Sequence, residues 1–212
     1  MAIQWILLGC GGHGRVLLGT LQGLGWMDRL IGVLDPDPAA LDLQHWQVPL
    51  LGNDAYLFTD LSREVQLLNG LGSVGNTERR RTLYQTFRGE GYSFVTLCHP
   101  TAWIADSVNL GEGVQVMAGA VIQTGCQLGA NVLINTRAVV EHECLIRDHV
   151  HVASGAVLCG NVLVGEGSHI GAGATVIQGV KIGANACVGA GAVVIRDVPA
   201  GAKVVGTPAR ER

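Results

Sequence analysis

A strict six-residue repeat between Ala102 and Asp197 constrains the fold of this chain more than any other feature. An aliphatic residue recurs at every sixth position, and a small or β-branched residue stands two places before it. The aliphatic positions are Ile104, Leu110, Val116, Ile122, Leu128, Ile134, Val140, Ile146, Val152, Leu158, Val164, Ile170, Val176, Ile182, Val188 and Val194. A helix repeats near 3.6 residues and a flat strand at two, so this period predicts short strands joined by corners, an all-β parallel β-helix. A glycine-rich low-complexity tract would not keep its phase over this length.

The period also predicts which residues are spatial neighbours. Three hexads complete one triangular coil, so residue n lies beneath residue n+18, and successive coils stack about 4.8 Å apart. Glycines such as Gly111 and Gly165 directly follow the aliphatic position, where a tight corner needs backbone freedom. Functional groups can therefore be placed from their numbers alone.

Composition limits the classes of function. The chain has 212 residues, 48% of them apolar, and a net charge of -3, which is typical of a globular protein with room for two modest domains. Its basic residues are dispersed except for Arg79–Arg81, which we expect on a solvated helix face, so no nucleic-acid surface is predicted.

Six cysteines without a CxxC pair indicate a reduced, cytoplasmic protein. The N-terminal residues have no basic leader and only a short apolar run, so neither a signal peptide nor a membrane span is expected.

The N-terminal segment carries a glycine-rich turn. Residues Gln4 to Gly9 read as a buried strand that leads into Gly9-Cys10-Gly11-Gly12-His13-Gly14, and Arg15 to Leu24 then reads as a helix. A second strand, Leu30 to Leu34, ends at Asp35. Backbone N–H groups at a helix start favour an anion, and a carboxylate after the second strand can accept from sugar hydroxyls.

The remaining N-terminal elements are short. We predict strands near Val48–Leu51 and Gly70–Gly75, a helix from Thr77 to Gly89 and a strand near Ser93–Cys98. Residues 1–98 are therefore expected to form a small Rossmann-like α/β domain, and residues 99–212 the β-helix domain. The α/β part is smaller than a nicotinamide enzyme usually needs, which favours a phosphorylated or nucleotide-linked ligand over NAD.

One corner of the predicted β-helix carries candidate catalytic residues. His142 stands between Glu141 and Glu143, two places after an inward aliphatic residue. Imidazole can accept a proton near neutral pH, and a neighbouring carboxylate can fix its tautomer and raise its basicity. Gly160 is expected directly above His142, where it leaves space and offers an N–H to an oxyanion. This set suits direct acyl transfer from a thioester, although a solvated polar corner is the plainer interpretation of any single histidine.

Other histidines are interpreted differently. His142, Glu143, His149 and His151 are close in sequence, but corners and strands direct their side chains apart, so no metal site is predicted. His151 is expected on an outward face, and His169 is expected to be an outward side chain without a partner.

With these residues in place, the chain resembles the bacterial sugar O-acyltransferases of the sialic-acid O-acetyltransferase family, and within them the N-acetyltransferases of nucleotide-linked 4-amino sugars. The resemblance covers nearly the whole chain. Its motifs are Gly11-Gly12-His13-Gly14, Leu34-Asp35, Val74-Gly75-Asn76 with Arg79, His99-Pro100, Glu141-His142-Glu143-Cys144, His151 and Gly206-Thr207-Pro208-Ala209-Arg210.

The resemblance implies a fold, an assembly and a set of site residues. Similar proteins form homotrimers of left-handed β-helices, with acetyl-CoA in the groove between neighbouring subunits and no metal. Substrate-binding positions map onto Gly11, Gly12, His13, Asp35, Pro36 and Gly75. His142 maps onto the general base and Glu143 onto the residue that raises its basicity, while His151, Gly160, Ala172 and Ala190 map onto the acetyl-CoA site. Where some relatives carry a second carboxylate after Asp35, this chain has Pro36 and then Asp37, which leaves UDP or GDP and the sugar open.

The expected activity is acetyl-CoA-dependent N-acetylation of a UDP- or GDP-linked 4-amino-deoxy sugar for a surface glycan. Three alternatives remain at this point: O-acetylation of a sugar hydroxyl, a non-catalytic scaffold that keeps the β-helix, and a carbonic-anhydrase-like metalloenzyme. A comparison of amino and hydroxyl acceptors distinguishes N-acetylation from O-acetylation. Metal analysis of the purified protein tests the metalloenzyme alternative.

Overall fold

The computed structural model describes residues 3–37, 43–58 and 65–211. The chain forms two compact units. Unit 1 consists of Met1–Gly72 and Thr82–Val95, and unit 2 consists of Ser73–Arg81 and Thr96–Arg212. A short internal segment, residues 73–81, therefore belongs to the same unit as the repeats.

Unit 1 is built on a five-stranded parallel sheet of order β3-β2-β1-β4-β5. Its strands are β1 (Gln4–Leu8), β2 (Leu30–Leu34), β3 (Leu50–Gly52), β4 (Val65–Asn69) and β5 (Ser93–Phe94). Its helices are α1 (Gly12–Leu24) and α2 (Leu43–Trp46), with 3₁₀ turns at Met27–Arg29 and Asp54–Phe58. Helix α3 (Glu78–Gly89) begins in the segment that belongs to unit 2 and continues in unit 1. Strand β1 is buried from Trp5 to Leu8, as a central parallel strand covered on both faces requires.

Helix α1 begins three residues earlier than the sequence suggests, so the glycine-rich turn is its first turn rather than a loop before it. A side chain at Gly14 would overlap the Gly9 carbonyl oxygen, which explains why only glycine fits this close approach of helix and strand. The helix buries Leu17, Leu18 and Leu21 and ends at Gly25, whose φ of 70° is left-handed.

Two predicted elements of the N-terminal part differ from the structure, and one observed helix was not predicted. No strand spans Gly70–Gly75; the strand is β4, five residues earlier. Gly70 N–H still donates to the Leu8 carbonyl of β1, and a Cβ at Gly70 would overlap the carbonyl oxygens of Leu8 and Gly9, so only glycine fits where this strand ends. The strand predicted from Ser93 to Cys98 is two strands, β5 in the sheet of unit 1 and β6 (Leu97–Cys98) in unit 2. Helix α2 was not predicted.

Unit 2 winds short strands, most of them of two residues, into three sheets, and every strand pair except the last is parallel. The sheets that contain β7, β8 and β9 are named face 1, face 2 and face 3. Face 1 contains β7 (Trp103–Ile104), β10 (Val121–Ile122), β13 (Val139–Val140), β16 (Val157–Leu158), β19 (Thr175–Val176) and β22 (Val193–Val194). Face 2 contains β8 (Asn109–Leu110), β11 (Gln127–Leu128), β14 (Leu145–Ile146), β17 (Leu163–Val164) and β20 (Lys181–Ile182). Face 3 contains β6, β9 (Gln115–Val116), β12 (Leu133–Ile134), β15 (His151–Val152), β18 (His169–Ile170), β21 (Cys187–Val188), β23 (Lys203–Val205) and β24 (Arg210–Glu211).

The strand register confirms the predicted stacking of residue n under residue n+18. Val139 pairs with Val157 on face 1, and Leu145 pairs with Leu163 on face 2. The repeated aliphatic and small residues point inward and form one continuous buried core along the coils. The turns that follow faces 1, 2 and 3 are named corners 1, 2 and 3. Many residues of these corners do not belong to the buried core.

The third residue of many corners adopts a left-handed conformation. Glycine or asparagine takes most of these positions, as expected for positive φ. Glu143 and His149 also adopt it, with φ of 59° and 62°. At the C-terminal end, β24 pairs antiparallel with β23, in contrast to the parallel coils before it. Within the described residues, no helix has the length and apolar character needed to cross a membrane.

Candidate active site

His142 occupies the middle of corner 1 and is accessible. Its side chain is 47% exposed and that of Glu143 is 71% exposed, with 3.4 Å between His142 Nδ1 and Glu143 Oε2. Backbone hydrogen bonds fix the corner to the coils on both sides: Glu143 N–H donates to the Thr124 carbonyl, and Asn161 N–H donates to the His142 carbonyl. The imidazole is thus displayed on a rigid backbone beside a carboxylate that can hold one ring nitrogen protonated.

Gly160 provides the surface on which the imidazole rests. A Cβ at Gly160 would lie 2.5 Å from both Cε1 and Nε2 of His142. Any side chain at this position would therefore displace the ring. The stacking predicted from the numbering is confirmed, and the carboxylate and the glycine contact opposite ends of the imidazole.

Two cysteines beneath this corner belong to the core. Cys126 Sγ donates to the Glu141 carbonyl and Cys144 Sγ donates to the Cys159 carbonyl. The interaction between the two thiols lowers the pKa of Cys126 to about 7, and the same interaction together with burial raises the pKa of Cys144. Both side chains are at most 1% exposed. They can therefore pack the coil but cannot reach a substrate as nucleophiles.

The other residues predicted to bind acetyl-CoA do not join His142 in a single chain. Ala172 and Ala190 are exposed and stack one coil apart at corner 3. His151 lies on face 3, as expected, but is buried. Its Nδ1 is 2.6 Å from Ser73 Oγ, and the Asn135 amide donates to its Nε2 at 3.3 Å. Within one chain, the predicted acetyl-CoA positions therefore lie in three separate places: Gly160 at corner 1, His151 on face 3, and both alanines at corner 3.

Residues 73–81 cover part of unit 2. Besides the Ser73 contact, Thr77 Oγ1 donates to the Gly167 carbonyl at 2.9 Å, and Arg81 donates to Asn185 Oδ1 at 3.1 Å. The prediction that Arg79–Arg81 lie on a solvated face is wrong for Arg80, which is buried and whose pKa burial lowers to about 9. Gly75, with φ of 77°, lies in this segment.

His169 also differs from its prediction as a lone outward side chain. It is buried beside His151, with ring centroids 4.9 Å apart and an edge-to-face arrangement. Burial lowers its pKa, so the neutral imidazole is favoured. The Ser73 contact has no local sequence signal, since Ser73 and His151 are 78 residues apart. The stacking of His169 on His151, by contrast, follows from the spacing of 18 residues per coil.

In unit 1, the carboxyl ends of β1 and β2 come together around Asp35. Its Oδ2 accepts a hydrogen bond from Cys10 N–H at 2.7 Å, and its Oδ1 accepts one from Asp37 N–H at 2.9 Å. Burial and the nearby carboxylate raise the pKa of the Cys10 thiol to about 11, which keeps it neutral. The structure thus joins the glycine-rich turn to the acidic end of the second strand.

The predicted substrate-binding residues of unit 1 border this junction. A side chain at Gly11 or Gly12 would meet no atom within 4 Å, so the first turn of α1 is open. His13 follows in the same turn, and Pro36 is exposed directly after Asp35. An open helix N-terminus beside a carboxylate can bind a phosphate and a hydroxyl group together. In the part of the chain that the structure describes, no three His, Cys, Asp or Glu side chains are grouped as a metal ion would need.

Family models match both units. The model described as bacterial transferase hexapeptide (six repeats) matches residues 107–142, 143–178 and 161–196. The PglD N-terminal domain model matches residues 4–87. A comparison with curated proteins gave no match.

Solved acetyltransferase structures match the entire chain. One is a histidine-to-asparagine variant of perosamine N-acetyltransferase from Caulobacter crescentus in complex with CoA and GDP-perosamine; it is 36% identical, with a TM-score of 0.89 and coverage of 100% of this chain and 98% of that one. The acetyltransferase domain of PglB from Neisseria gonorrhoeae is 33% identical, with a TM-score of 0.87 and full coverage of both chains. WeeI from Acinetobacter baumannii AYE is 25% identical, with a TM-score of 0.85 and full coverage of both.

Proposed function

Since this chain belongs to the bacterial hexapeptide-repeat acetyltransferases with a PglD-type N-terminal domain and a left-handed β-helix, we propose that it N-acetylates a nucleotide-linked 4-amino-deoxy sugar with acetyl-CoA. The observation that carries the proposal is corner 1, where an accessible imidazole lies between a carboxylate and a glycine. The matched Caulobacter enzyme, with CoA and GDP-perosamine bound, supports the substrate class.

The proposed mechanism is direct transfer. Glu143 accepts a hydrogen bond from His142 Nδ1–H, which leaves Nε2 free to accept a proton. The sugar amine attacks the thioester carbonyl, His142 takes the amine proton, and the tetrahedral intermediate expels the CoA thiolate, which is then protonated. Backbone N–H groups, that of Gly160 among them, stabilise the oxyanion. No covalent acyl-enzyme is required.

We assign nucleotide-sugar binding to residues 1–98 and acetyl transfer to residues 99–212. The N–H groups of Gly11, Gly12 and His13 are suited to a phosphate, and Asp35 retains lone pairs for a hydroxyl. Pro36 completes the proposed substrate site in unit 1, and Gly75 stays a predicted substrate-binding residue. A panel of UDP- and GDP-linked amino sugars identifies the nucleotide and the sugar.

We propose a homotrimer in which acetyl-CoA binds between two copies. The outward residues of face 1 are almost entirely apolar and partly exposed: Trp103, Val121, Val139, Val157, Thr175 and Val193. A flat apolar face of this kind favours association with another copy. Ala172 and Ala190 lie at a different corner from His142 and Gly160, so a cofactor that contacts both sets needs two chains. His151, on face 3, stays a predicted cofactor-binding residue. The free thiols of all six cysteines and the use of acetyl-CoA favour a cytoplasmic enzyme of surface-glycan synthesis.

The test is acetyl transfer by the purified protein to a panel of UDP- and GDP-linked amino sugars, read out as free CoA and as an acetylated product by mass spectrometry. We expect one 4-amino sugar to react far faster than its 4-hydroxy counterpart. Preferred reaction of the hydroxyl acceptor would establish O-acetylation instead, and no CoA release with any acceptor would refute the proposed activity.

A further inference from the structure

Three hydrogen-bonded side chains in unit 2 are not used by the proposed transfer at corner 1. They lead from Asn135 at corner 3 through His151 on face 3 to Ser73, the first residue of segment 73–81. His151 is only 4% exposed, whereas Ser73 is half-buried and the next residue, Val74, is 94% exposed. These contacts thus connect a buried imidazole to a hydroxyl group at the surface.

The orientation of the Asn135 amide fixes the protonation of His151. Asn135 Oδ1 accepts the Thr136 N–H at 2.7 Å, so the amide nitrogen faces His151. That nitrogen can only donate, and it lies 3.3 Å from His151 Nε2. Nε2 must therefore be unprotonated, because an N–H there would meet a second donor. His151 is thus neutral and carries its proton on Nδ1.

This proton determines the hydrogen bonding of Ser73. The Nδ1–H of His151 donates to Ser73 Oγ at 2.6 Å, so the serine oxygen is an acceptor in this contact. The hydroxyl proton must then point elsewhere, and the described residues supply no acceptor for it. A serine hydroxyl usually rotates between donor and acceptor roles, whereas this one is held with its proton available to a bound molecule.

A second imidazole supports this arrangement. His169 pairs with His151 one coil further along face 3, with ring centroids 4.9 Å apart. Burial lowers the pKa of His169, so the ring that packs on His151 is uncharged. The Ser73 hydroxyl is therefore held by a buried pair of rings on the β-helix and not by another exposed side chain.

The position of Ser73 indicates its ligand. Gly75, two residues further along the same segment, is a predicted substrate-binding residue, and a side chain there would meet no atom within 4 Å. The segment thus has open space close to the serine donor. A nucleotide-linked sugar offers hydroxyl, ring and phosphate oxygens that accept hydrogen bonds, whereas a protonated amine accepts none. The donor therefore suits an oxygen of the substrate and not its amino group.

We propose that Ser73 binds an oxygen of the nucleotide-linked sugar, and that His151 is a positioning residue that acts on this substrate through Ser73. The inference rests on the proposed acetyltransferase function and adds a substrate contact that the resemblance does not supply. Ser73 takes no part in the proton transfer, which stays with His142.

The experiment compares Ser73→Ala with wild type, using acetyl-CoA and whichever UDP- or GDP-linked amino sugar of the panel reacts fastest. We expect the KM for the sugar to rise about tenfold, with little change in kcat and an unchanged KM for acetyl-CoA. Ser73→Thr keeps a hydroxyl group and should restore most of the affinity. Calorimetric titration with the same nucleotide sugar should show the same rise in Kd.

Thr77→Val is the matched control, because it removes the other hydroxyl of the segment, which donates to the Gly167 carbonyl. It should lower the Tm and leave the KM for the sugar near the wild-type value. Equal rises in this KM for Ser73→Ala and Thr77→Val would show that Ser73 only anchors the segment, and would overturn the proposal.

A double-mutant cycle tests the role of His151. His151→Ala should raise the KM for the sugar about as much as Ser73→Ala does, and the double variant should show no further rise. His151→Asn can still donate from the position of Nδ1, so its KM for the sugar should stay close to that of wild type. Effects that multiply in the double variant would contradict the positioning role.

The proposed function and this inference fail in different ways. If wild type transfers no acetyl group to any amino sugar, the proposed function is wrong. If wild type is active and Ser73→Ala has an unchanged KM and Kd for the nucleotide sugar, only this inference is wrong.

Discussion

Two histidines seven residues apart occupy neighbouring corners of the same β-helix but have opposite environments. His142 at corner 1 is half exposed, with Glu143 at one ring nitrogen and Gly160 beneath the ring. His149 at corner 2 is only 5% exposed, and its Nδ1 accepts a hydrogen bond from the Asn131 amide at 3.1 Å. One imidazole can exchange a proton with a bound molecule, whereas the other is held neutral inside the unit.

The difference arises from what covers each corner. Around corner 2, residues 73–81 bind the coil above His149 through Thr77 and Arg81. Burial lowers the pKa of His149 more strongly than Asp148 and Glu166 raise it, and Arg81 and Arg80 lower it further. Corner 1 has no such cover among the described residues of unit 2. Whether a histidine on a corner of the β-helix can exchange protons therefore depends on the segment packed over that corner and not on the repeat itself.

The largest expected effect is on kcat when His142 at corner 1 is replaced; the same substitution at His149 in corner 2 is made separately for comparison. His142→Asn should lower kcat by about 10³-fold, because the proposed base is lost while the corner keeps its shape. CoA release with the preferred amino sugar measures this directly.

The matched control is His149→Asn. Asn131 and Asn185 already hold this corner position with left-handed backbone, so asparagine should fit, with a stability loss of about 1 kcal/mol and an unchanged kcat. Similar losses of kcat in the two variants would contradict the assigned difference between the corners.

A smaller effect is expected when the support under His142 is changed. Gly160→Ala adds a Cβ that would lie 2.5 Å from the imidazole, so the ring must shift. We expect kcat to fall about 10- to 100-fold with little loss of thermal stability. Gly23→Ala, in helix α1 with open space around it, should leave kcat unchanged. A fully active Gly160→Ala enzyme would show that the ring position is not critical.

The smallest effect concerns pH and stability. Burial lowers the pKa of both His149 and His169 below 6.5, so the unfolded chain binds protons more readily than the folded one as the pH falls through 6.5. Stability should decline over that range by at most about 1.4 kcal/mol per pH unit for each histidine. Urea unfolding at pH 7.5, 6.5 and 5.5 measures the slope, which His149→Asn should reduce. An unchanged slope would mean that His149 binds protons equally well in the folded and unfolded states, which would contradict the lowered pKa.

The repeat made much of unit 2 predictable. Because the period of 18 residues per coil fixes vertical neighbours, the approach of Gly160 to His142 followed from the numbers alone. The catalytic and binding roles of the site residues remain predictions, since the positions of residues in the fold do not identify their roles in a reaction. Helix α3 and strands β1 and β2 were also predicted within one residue, because their hydrophobic patterns are strong.

Contacts between distant segments were not predictable in this way. The Ser73 contact with His151 and the burial of Arg80 depend on a segment that precedes the repeats and has no period of its own. The missing strand at Gly70–Gly75 has a similar cause, since the close approach of Gly70 to β1 is a property of the folded sheet. Sequence patterns report which face of an element is apolar, but they do not report which distant element covers it.

The reversed direction of β24 has a consequence for solubility. Every earlier coil exposes an edge that the next coil can extend, and an uncapped edge of this kind would accept coils from other molecules and grow into filaments. Antiparallel pairing of Arg210–Glu211 with β23 presents a hydrogen-bonding pattern that another parallel coil cannot continue on face 3. Antiparallel strand β24 thus hinders end-to-end growth of the β-helix along face 3.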